Sequence, residues 1–449
     1  MKITIKNCLA FQESIEIELN KWNLFIGANN SGKSSLLKIM DLLRSNSWHR
    51  DLFDVKDGAL QWQIGQYSDY LCFENLLNDQ SDLEDILLTF ENMIGGSRFK
   101  LFVNISKSEF LYADGGLNPE KLGSEISSLK ITLDESVLYE LNNEHLVLNS
   151  SEILDSMIML SAVDKEFADK AIDLKSKGGL RDLFLNVEYL EGSPYESMVI
   201  LFRYGGLQIF NSDVLRFLNF VTRELTREVL SITRIDGLKE TNLDQGSMYW
   251  ASSILRSNFN LDLIYKQLYF FENDVKRSVG YNWVLNQNGR NRMLNSFGEG
   301  TNYLLKAIKQ LANFKEEKHD YDNSSFVQYN SSLAIVEPER NLHPDWQIEF
   351  VRVLLNDVFA KANHILIETH SLHILKAIQV EVAKGNIDNN SVTVHEFYRD
   401  KDIVKVNPIK FDHNGFLMNN GYWRGEFNAL LLNLERELWS IQQSRIQEN

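Results

Sequence analysis

The sequence has little cysteine, little proline and no long apolar run. Its 449 residues include 2 cysteines, Cys8 and Cys72, too few for a disulfide framework or a structural zinc site. With 5 prolines, Pro-rich linkers are excluded. No segment approaches the roughly 18 consecutive apolar residues of a membrane-spanning helix, and the N-terminus lacks the pattern of a signal peptide. We therefore expect a cytoplasmic protein that does not enter a membrane.

Positive charge is also in short supply. Lys and Arg number 46 against 62 Asp and Glu, which gives a formal net charge of −16. A chain this acidic repels phosphate backbones, so DNA binding would need a local basic patch. The basic stretches, such as Lys276-Arg277 and Arg290 with Arg292, are short. The hydrophobic content of 44% excludes disorder as the main state and predicts a globular protein of roughly two to three domains, or one with large insertions.

Strands and helices alternate at both ends of the chain. Ser14–Leu19 alternates apolar and polar residues, as half-buried strands do, and Asn23–Ile26 is a short apolar run typical of a buried strand. A Gly-containing loop and a helical pattern follow. The last third predicts strands and helices in alternation: Leu333–Val336, Trp346–Phe359, His364–Glu368, Leu372–Val382, Val392–Phe397 and Ile403–Val406. This rhythm predicts an α/β fold whose sheet is shared by the two chain ends.

The middle of the chain has a less regular pattern. We expect strands at Phe99–Ile105 and Leu129–Leu133, helices at Ile153–Leu174 and Val214–Leu230, and a hairpin around Gly205. No sustained heptad pattern indicates a long coiled coil. The prediction is a mixed sheet flanked by helices, with an N-terminal lobe at 1–100, an inserted α+β or helical subdomain at 101–285 and a C-terminal lobe at 286–449.

The strongest motif is Gly27-Ala28-Asn29-Asn30-Ser31-Gly32-Lys33-Ser34, which matches the phosphate-binding pattern G-x-x-x-x-G-K-[ST] between a strand and a helix. Backbone N–H groups of such a loop cradle phosphates, helped by the positive end of the helix. Lys33 would reach the β- and γ-phosphates of ATP, and the Ser34 hydroxyl would bind Mg²⁺. The expected nucleotide-binding residues are Gly27, Asn29, Asn30, Ser31, Gly32, Lys33, Ser34 and Ser35.

Three further segments carry polar groups at strand or helix ends. The strand Leu333–Val336 delivers Glu337 and Glu339, and a carboxylate there can orient and deprotonate the water that attacks a γ-phosphate. The strand before Thr369-His370-Ser371 ends in an imidazole that could donate to a γ-phosphate oxygen, although a capping histidine would look the same. Ser296, Gly298, Glu299 and Gly300 precede a helix, where N–H groups bind anions or simply form a cap.

In this order, the four segments resemble the SMC-like, ABC-class ATPases of the OLD and RecF type. The residues that fit the family motifs are Asn7, Gly27, Asn29, Gly32, Lys33 and Ser34 at the start, Glu337, Pro338, Glu339, Leu342, His343 and Pro344 in the Walker B stretch, and Glu368 to Ser371 in the switch. The resemblance covers about residues 1–45 and 290–400. It implies that Glu337 and His370 are catalytic and that Ser296, Gly298, Glu299 and Gly300 form a signature acting on the ATP of a second subunit.

Two positions depart from that family. Relatives carry Asp or Glu just before the catalytic Glu, where this chain has Val336. Either Glu337 serves both needs and holds Mg²⁺, or Ser34 holds Mg²⁺ almost alone, or hydrolysis is slow. Many relatives also carry an Arg after the first Asn-aromatic pair, whereas this chain continues from Asn7 with Cys8-Leu9-Ala10-Phe11. ATP binding is expected in spite of both departures.

The resemblance also implies how the protein works. OLD-type nucleases carry a Toprim domain after the ATPase, and the 78 residues that follow Ser371 are too few for it, so nuclease activity in the same chain is not expected. The chain is similar to stand-alone ATPases of bacterial anti-phage systems of the Septu or PARIS kind. We expect a homodimer or higher homo-oligomer that acts as switch and scaffold for a separate effector, a nuclease or toxin. The alternatives are a RecF-type DNA-repair ATPase that binds DNA directly, and a structural ATP-binding scaffold with little turnover.

Overall fold

The structure is a computed structural model that describes residues 1–45, 54–56, 59–61, 77–78, 85–108, 123–142, 146–148, 150–160, 165–176, 217–218, 220–222, 224–225, 232–235, 245–272, 275–287, 290–293, 298–322, 332–355 and 362–418. The strands are β1 Lys2–Lys6, β2 Ile15–Glu18, β3 Trp22–Gly27, β4 Asp54–Lys56, β5 Ala59–Gln61, β6 Ile86–Ile94, β7 Ser97–Ser108, β8 Gly123–Leu133, β9 Ser136–Asn142, β10 Leu146–Leu148, β11 Ile232–Ile235, β12 Asp262–Glu272, β13 Val275–Gln287, β14 Arg290–Met293, β15 Ser332–Val336, β16 Ile365–Glu368, β17 Val392–Asp400 and β18 Ile403–Lys410. The helices are α1 Lys33–Ser45, α2 Ser150–Met159, α3 Lys165–Ser176, α4 Gln245–Phe259, α5 Glu299–Asp322, α6 Pro344–Leu354 and α7 Leu372–Ala383.

The chain divides into two compact units, each built from separate stretches of sequence. The first comprises Met1–Leu19, Asn29–Leu230 and Phe397–Val406. The second comprises Asn20–Ala28, Ser231–Glu396 and Asn407–Asn449. Both ends of the sequence therefore contribute to each unit, while the predicted division into three consecutive ranges stays a prediction.

The first unit is built on an antiparallel sheet of seven strands in the order β10-β9-β8-β7-β6-β1-β2. In β1, Ile3 and Ile5 are buried while their neighbours are partly exposed, and β2 repeats this alternation with Ile15 and Ile17. Alternation of this kind buries one face of a sheet. The expectation that the whole N-terminus shares a sheet with the C-terminal strands is therefore wrong for β1 and β2, because their one-sided burial suits the antiparallel sheet.

The second unit contains the strands β11, β15, β16 and β3, which pair in parallel. They are the first four strands of a six-stranded sheet in the order β11-β15-β16-β3-β17-β18. Every residue of β3 and of β16 is buried, without alternation. Strands covered on both faces read as continuous apolar runs, as the sequence indicated. The mixed sheets flanked by helices confirm the predicted α/β fold class, and no coiled coil occurs among the described residues.

Helices cover this parallel sheet through apolar side chains spaced three and four residues apart. In α5 the buried set includes Leu304, Ile308 and Leu311, and in α7 it includes Ile374 and Ile378. These side chains join the strand residues in one hydrophobic cluster, so each helix is held by its amphipathic face rather than by helix propensity.

Several segments of the middle differ from the prediction. The expected helix Ile153–Leu174 is two helices, α2 and α3. A three-stranded antiparallel sheet, β12-β13-β14, was not predicted. The predicted hairpin around Gly205 and most of the predicted helix Val214–Leu230 lie outside the described residues. No helix in the described ranges is both long and apolar enough to span a membrane.

Candidate functional site

The carboxyl ends of three parallel strands are in register. Val336 of β15 pairs with Glu368 of β16, and Glu368 pairs in turn with Phe25 of β3. Three loops leave this edge: the phosphate loop Gly27–Ser34 after β3, the acidic loop Glu337–Leu342 after β15 and the switch loop Thr369–Ser371 after β16. Because ligands of open α/β sheets bind beyond the carboxyl ends of the strands, this edge is the candidate site.

Two positions of the phosphate loop require glycine, because of their φ angles and, at Gly32, because of the neighbouring side chains. Gly27 and Gly32 have φ angles of 148° and 101°, which L side chains rarely adopt. A Cβ on Gly32 would also lie 3.0 Å from both Phe11 Cε1 and Val404 Cγ1. Helix α1 begins directly after Gly32 and carries no acidic residue in its first turn, so its N-terminal N–H groups and positive dipole are available to an anion.

Lys33 opens this helix and is 3% exposed, with its Nζ 3.4 Å from Ser31 Oγ. Asn29, Asn30 and Ser34 are exposed, while Ser35 is half-buried. The Arg399 Nε donates a hydrogen bond of 3.0 Å to the Asn30 carbonyl. A glycine-containing loop with a lysine at the start of the following helix is the arrangement that binds phosphates in P-loop proteins, and the assignment of these residues to ATP stays a prediction.

The acidic loop begins with a left-handed residue. Glu337 has a φ of 46°, and its N–H donates to the Glu368 carbonyl at 2.8 Å, which continues the pairing of β15 with β16. Its side chain is 40% exposed. The carboxylate therefore keeps access to water, as a general base must.

The second acidic side chain of the loop is engaged by the protein itself. The Glu339 carboxylate accepts hydrogen bonds from the Thr369 hydroxyl at 2.8 Å and from the His370 N–H at 2.6 Å. Burial raises the pKa of Glu339 above its ordinary value, against the effect of these hydrogen bonds. Glu339 therefore ties the acidic loop to the switch loop, which leaves Glu337 as the stronger candidate for the base.

The switch loop is held on both sides. The Thr369 N–H donates to the Phe25 carbonyl at 3.0 Å, and the Ser371 hydroxyl donates to Gln347 Oε1 at 2.6 Å. Ser371 also caps α7 by accepting from the N–H groups of His373 and Ile374. Thr369 and Ser371 are thus structural, and the sequence analysis singled out neither Thr369 nor Gln347 for this role, because their partners are distant in sequence.

The His370 imidazole of the switch loop lies near Glu337. Its Nε2 lies 4.0 Å from Glu337 Oε1, beyond a direct hydrogen bond, and its side chain is 32% exposed. The structure therefore brings the two predicted catalytic residues together. Their catalytic roles stay predictions.

The predicted signature is described only in part. Ser296 lies outside the described residues. Gly298 and Glu299 are exposed, and a Cβ on Gly298 would meet no atom within 4 Å. A Cβ on Gly300 would lie 2.1 Å from the Asn341 carbonyl oxygen, so a close contact inside the chain already accounts for that glycine.

Magnesium would need oxygen ligands at this edge. Ser34 and Glu337 both present exposed side-chain oxygens, which are the ligand type that Mg²⁺ prefers. Val336 offers none. No group of three or more His, Cys, Asp or Glu side chains suited to a metal occurs within the described ranges. The assignment of Ser34 and Glu337 as Mg²⁺ ligands stays a prediction.

The sequence of the chain is similar to known ATPase families and to a curated endonuclease. Residues 1–204 match the family described as "AAA ATPase domain", and residues 193–376 match a AAA domain family whose description names the AbiEii toxin and a type IV TA system. Endonuclease GajA of Bacillus cereus (strain HuB5-5) is 25% identical over 402 residues, which cover 82% of this chain and 54% of the relative. The chain thus spans about half the length of that curated relative.

Solved structures of SMC heads share elements of the fold at low similarity. The SMC head domain from Thermotoga maritima covers 91% of this chain and 97% of its own, with 13% identity and a TM-score of 0.38. An SMC head bound to the C-winged helix domain of ScpA covers 92% and 97%, with 12% identity and a TM-score of 0.40. These scores are too low to bear on function.

The phosphate loop and the family matches define the class: the chain carries a P-loop ATPase domain. Within that class, the order of its motifs resembles that of SMC-like, ABC-class ATPases of the OLD kind, and the chain is similar to GajA. The matched ATPase families support ATP hydrolysis by this chain.

Proposed function

We propose that the chain binds and hydrolyses ATP as a switch and scaffold for a separate effector protein, a nuclease or toxin, in bacterial antiviral defence. The observation that carries the ATPase part is the register of β3, β16 and β15, from which the phosphate, switch and acidic loops all begin. The effector and the defence role rest on the resemblance to stand-alone anti-phage ATPases and on the similarity to an endonuclease.

In the proposed reaction, ATP supplies the phosphoanhydride bond that water cleaves. A bound Mg²⁺ would supply positive charge that makes the γ-phosphate easier to attack. Lys33 and the N–H groups of the phosphate loop hold the phosphates. Glu337 orients the attacking water and accepts its proton, while the His370 imidazole donates a hydrogen bond to the γ-phosphate. Glu339 keeps the acidic and switch loops together through Thr369 and the His370 N–H.

The site is proposed to be completed by a second copy of the chain. The start of α5 is exposed at Gly298 and Glu299, and helix N-termini are sites at which anions bind. In the proposed pair, Ser296, Gly298, Glu299 and Gly300 of one subunit close over the phosphates held by the other, through a two-fold, self-complementary interface. A larger homo-oligomer of such pairs is compatible with this arrangement.

Complementation tests the ATPase dimer. Lys33→Ala and Ser296→Arg chains are each expected to be inactive, because each lacks one half of every composite site. A mixture contains dimers with one intact site, so part of the ATP turnover should return. If the mixture stays inactive while both variants bind each other, or if the protein with ATP stays monomeric by light scattering, the paired site is refuted.

Phage challenge tests the switch and its effector. Cells that carry this gene with its neighbouring open reading frames should resist phage, and resistance should be lost with Lys33→Ala or with deletion of the effector gene. Resistance that persists when every neighbouring gene is removed would contradict the separate effector. A parent and a Lys33→Ala variant with equal resistance would contradict the ATP switch.

A further inference from the structure

Helix α5 contacts the acidic loop at the residue proposed as the general base. The Tyr303 hydroxyl, one turn into α5, lies 2.8 Å from the Val336 carbonyl and 2.9 Å from the Glu337 carbonyl, and it can donate to either. Tyr303 is 5% exposed, and it belongs to the hydrophobic cluster beneath the parallel sheet. The ring is therefore fixed by packing, and its hydroxyl marks where β15 ends and the acidic loop begins.

The same first turn of α5 meets the far end of the acidic loop. Gly300 lies so close to the Asn341 carbonyl that no side chain fits between them, and Asn341 Nδ2 donates to Glu299 Oε2 at 3.1 Å. Asn341 is left-handed, with a φ of 56°. The N-terminal part of α5 thus contacts the acidic loop at Glu337 and at Asn341.

The backbone of Glu337 needs such support. With a φ of 46°, it holds a conformation that non-glycine residues adopt only when their surroundings impose it. Its N–H is fixed by the Glu368 carbonyl, and its carbonyl accepts from the Arg340 N–H at 3.0 Å and faces the Tyr303 hydroxyl. A change at the Tyr303 hydroxyl therefore alters the peptide that sets the direction of the Glu337 side chain.

We propose that Tyr303 is a positioning residue for Glu337, and that the first turn of α5 and the acidic loop move as one piece within a subunit. This inference rests on the proposed function. Since the start of α5 is also proposed to meet the partner's nucleotide, closure over that nucleotide would set the general base of the same subunit.

Tyr303→Phe tests the inference, because it removes the hydroxyl and keeps the packed ring. We expect kcat to fall about 3- to 10-fold with KM for ATP unchanged, since only the placement of the base is altered. In a Glu337→Gln background the same change should have no further effect on the residual rate. Asn341→Gly keeps the left-handed backbone and removes the bond to Glu299, so a smaller fall in kcat is expected.

Tyr139→Phe is the matched control. Tyr139 of β9 is 3% exposed, and its hydroxyl has no hydrogen-bond partner among the described residues, so kcat should be unchanged. Equal losses from Tyr303→Phe in the parent and in the Glu337→Gln background would overturn the inference, as would unchanged kcat in both Tyr303→Phe and Asn341→Gly. If Glu337→Gln itself hydrolyses like the parent, the proposed function fails instead.

Discussion

The two edges of the parallel sheet are built in opposite ways. At the amino edge, buried polar side chains bond to other groups of the protein: the Asn23 amide donates to the Asn20 carbonyl at 2.6 Å, and His364 Nδ1 lies 2.6 Å from the same carbonyl. Two buried atoms of this edge, His395 Nδ1 and Ser332 Oγ, have no hydrogen-bond partner among the described residues. Asn20 Nδ2 also donates to Thr393 Oγ1, and His395 Nε2 lies 3.4 Å from Asn23 Oδ1. Asn23, Thr393 and His395 are each less than 3% exposed.

At the carboxyl edge, two polar side chains of the loops are partly exposed. Glu337 and His370 are 40% and 32% exposed and do not bond each other directly. Glu339, in contrast, accepts hydrogen bonds from the Thr369 hydroxyl and the His370 N–H. The full burial at the amino edge is typical of polar residues that stabilise a fold, whereas the partial exposure of Glu337 and His370 suits the roles proposed for them.

Loss of Lys33 should have the largest effect at the carboxyl edge. Lys33→Ala removes the point charge that pairs with the phosphates, so ATP affinity should fall at least about 100-fold, equivalent to roughly 2.7 kcal/mol. Titration with a fluorescent ATP analogue measures it. Lys38→Ala, an exposed lysine of the same helix, is the control and should bind like the parent. Equal affinity in all three proteins would refute the phosphate loop.

His370→Ala should slow turnover about 100-fold, because it removes a donor to the charge that develops on the γ-phosphate. ATP affinity should change little. His373 is an exposed histidine in the first turn of α7. His373→Ala serves as the comparison and should keep parental turnover. A His370→Ala variant with parental kcat would show that this imidazole is a structural side chain after all.

At the amino edge, we expect His395 to make the free energy of unfolding depend on pH. Burial lowers the pKa of His395 to about 3. The unfolded chain binds that proton more readily, so the free energy of unfolding should fall as the pH drops from about 6.5 towards 3. His395→Gln should lack this part of the pH dependence, as measured by urea unfolding at a series of pH values. Parallel curves for parent and variant would contradict the burial of a neutral imidazole.

The smallest effect is expected from Glu339, whose contribution to the free energy of unfolding changes with pH in the direction opposite to that of His395. Because burial raises its pKa, the native state holds the proton more tightly than the unfolded chain. Its contribution to the free energy of unfolding is complete below the ordinary glutamate pKa and is lost as the pH rises through the raised value. Relative to Glu339→Gln, the parent should therefore lose stability as the pH rises through this range. A relative gain would show that the hydrogen bonds from Thr369 and His370 outweigh burial.

Much of the carboxyl edge could be predicted from sequence. The strands β3, β15 and β16 are continuous apolar runs because helices cover both faces, and each run ends directly before its polar residues. The division of labour between Glu337 and Glu339 could not be predicted. It depends on contacts of Glu339 with residues 30 and 31 positions away in the chain, and on a φ angle that no residue type dictates at Glu337.

Other parts were hidden for different physical reasons. β1 and β2 alternate like any half-buried strand, so their pattern gives no information about which sheet they join. The pairing of β12 with β13 contains a register shift between Leu268 and Tyr269, which interrupts simple alternation. Tyr303 looks like an ordinary apolar position of α5, and only the fold places its hydroxyl at the end of β15.

The central claim is that Glu337 activates water while Glu339 holds the loops, and a comparison of Glu337→Gln with Glu339→Gln tests it most directly. Steady-state hydrolysis and ATP affinity would be measured for both variants and the parent. Glu337→Gln should bind ATP like the parent and hydrolyse it about 10²- to 10⁴-fold more slowly, whereas Glu339→Gln should stay within about 10-fold of the parent. If Glu337→Gln hydrolyses like the parent while Glu339→Gln is inactive, Glu339 is the base and the assignment is wrong.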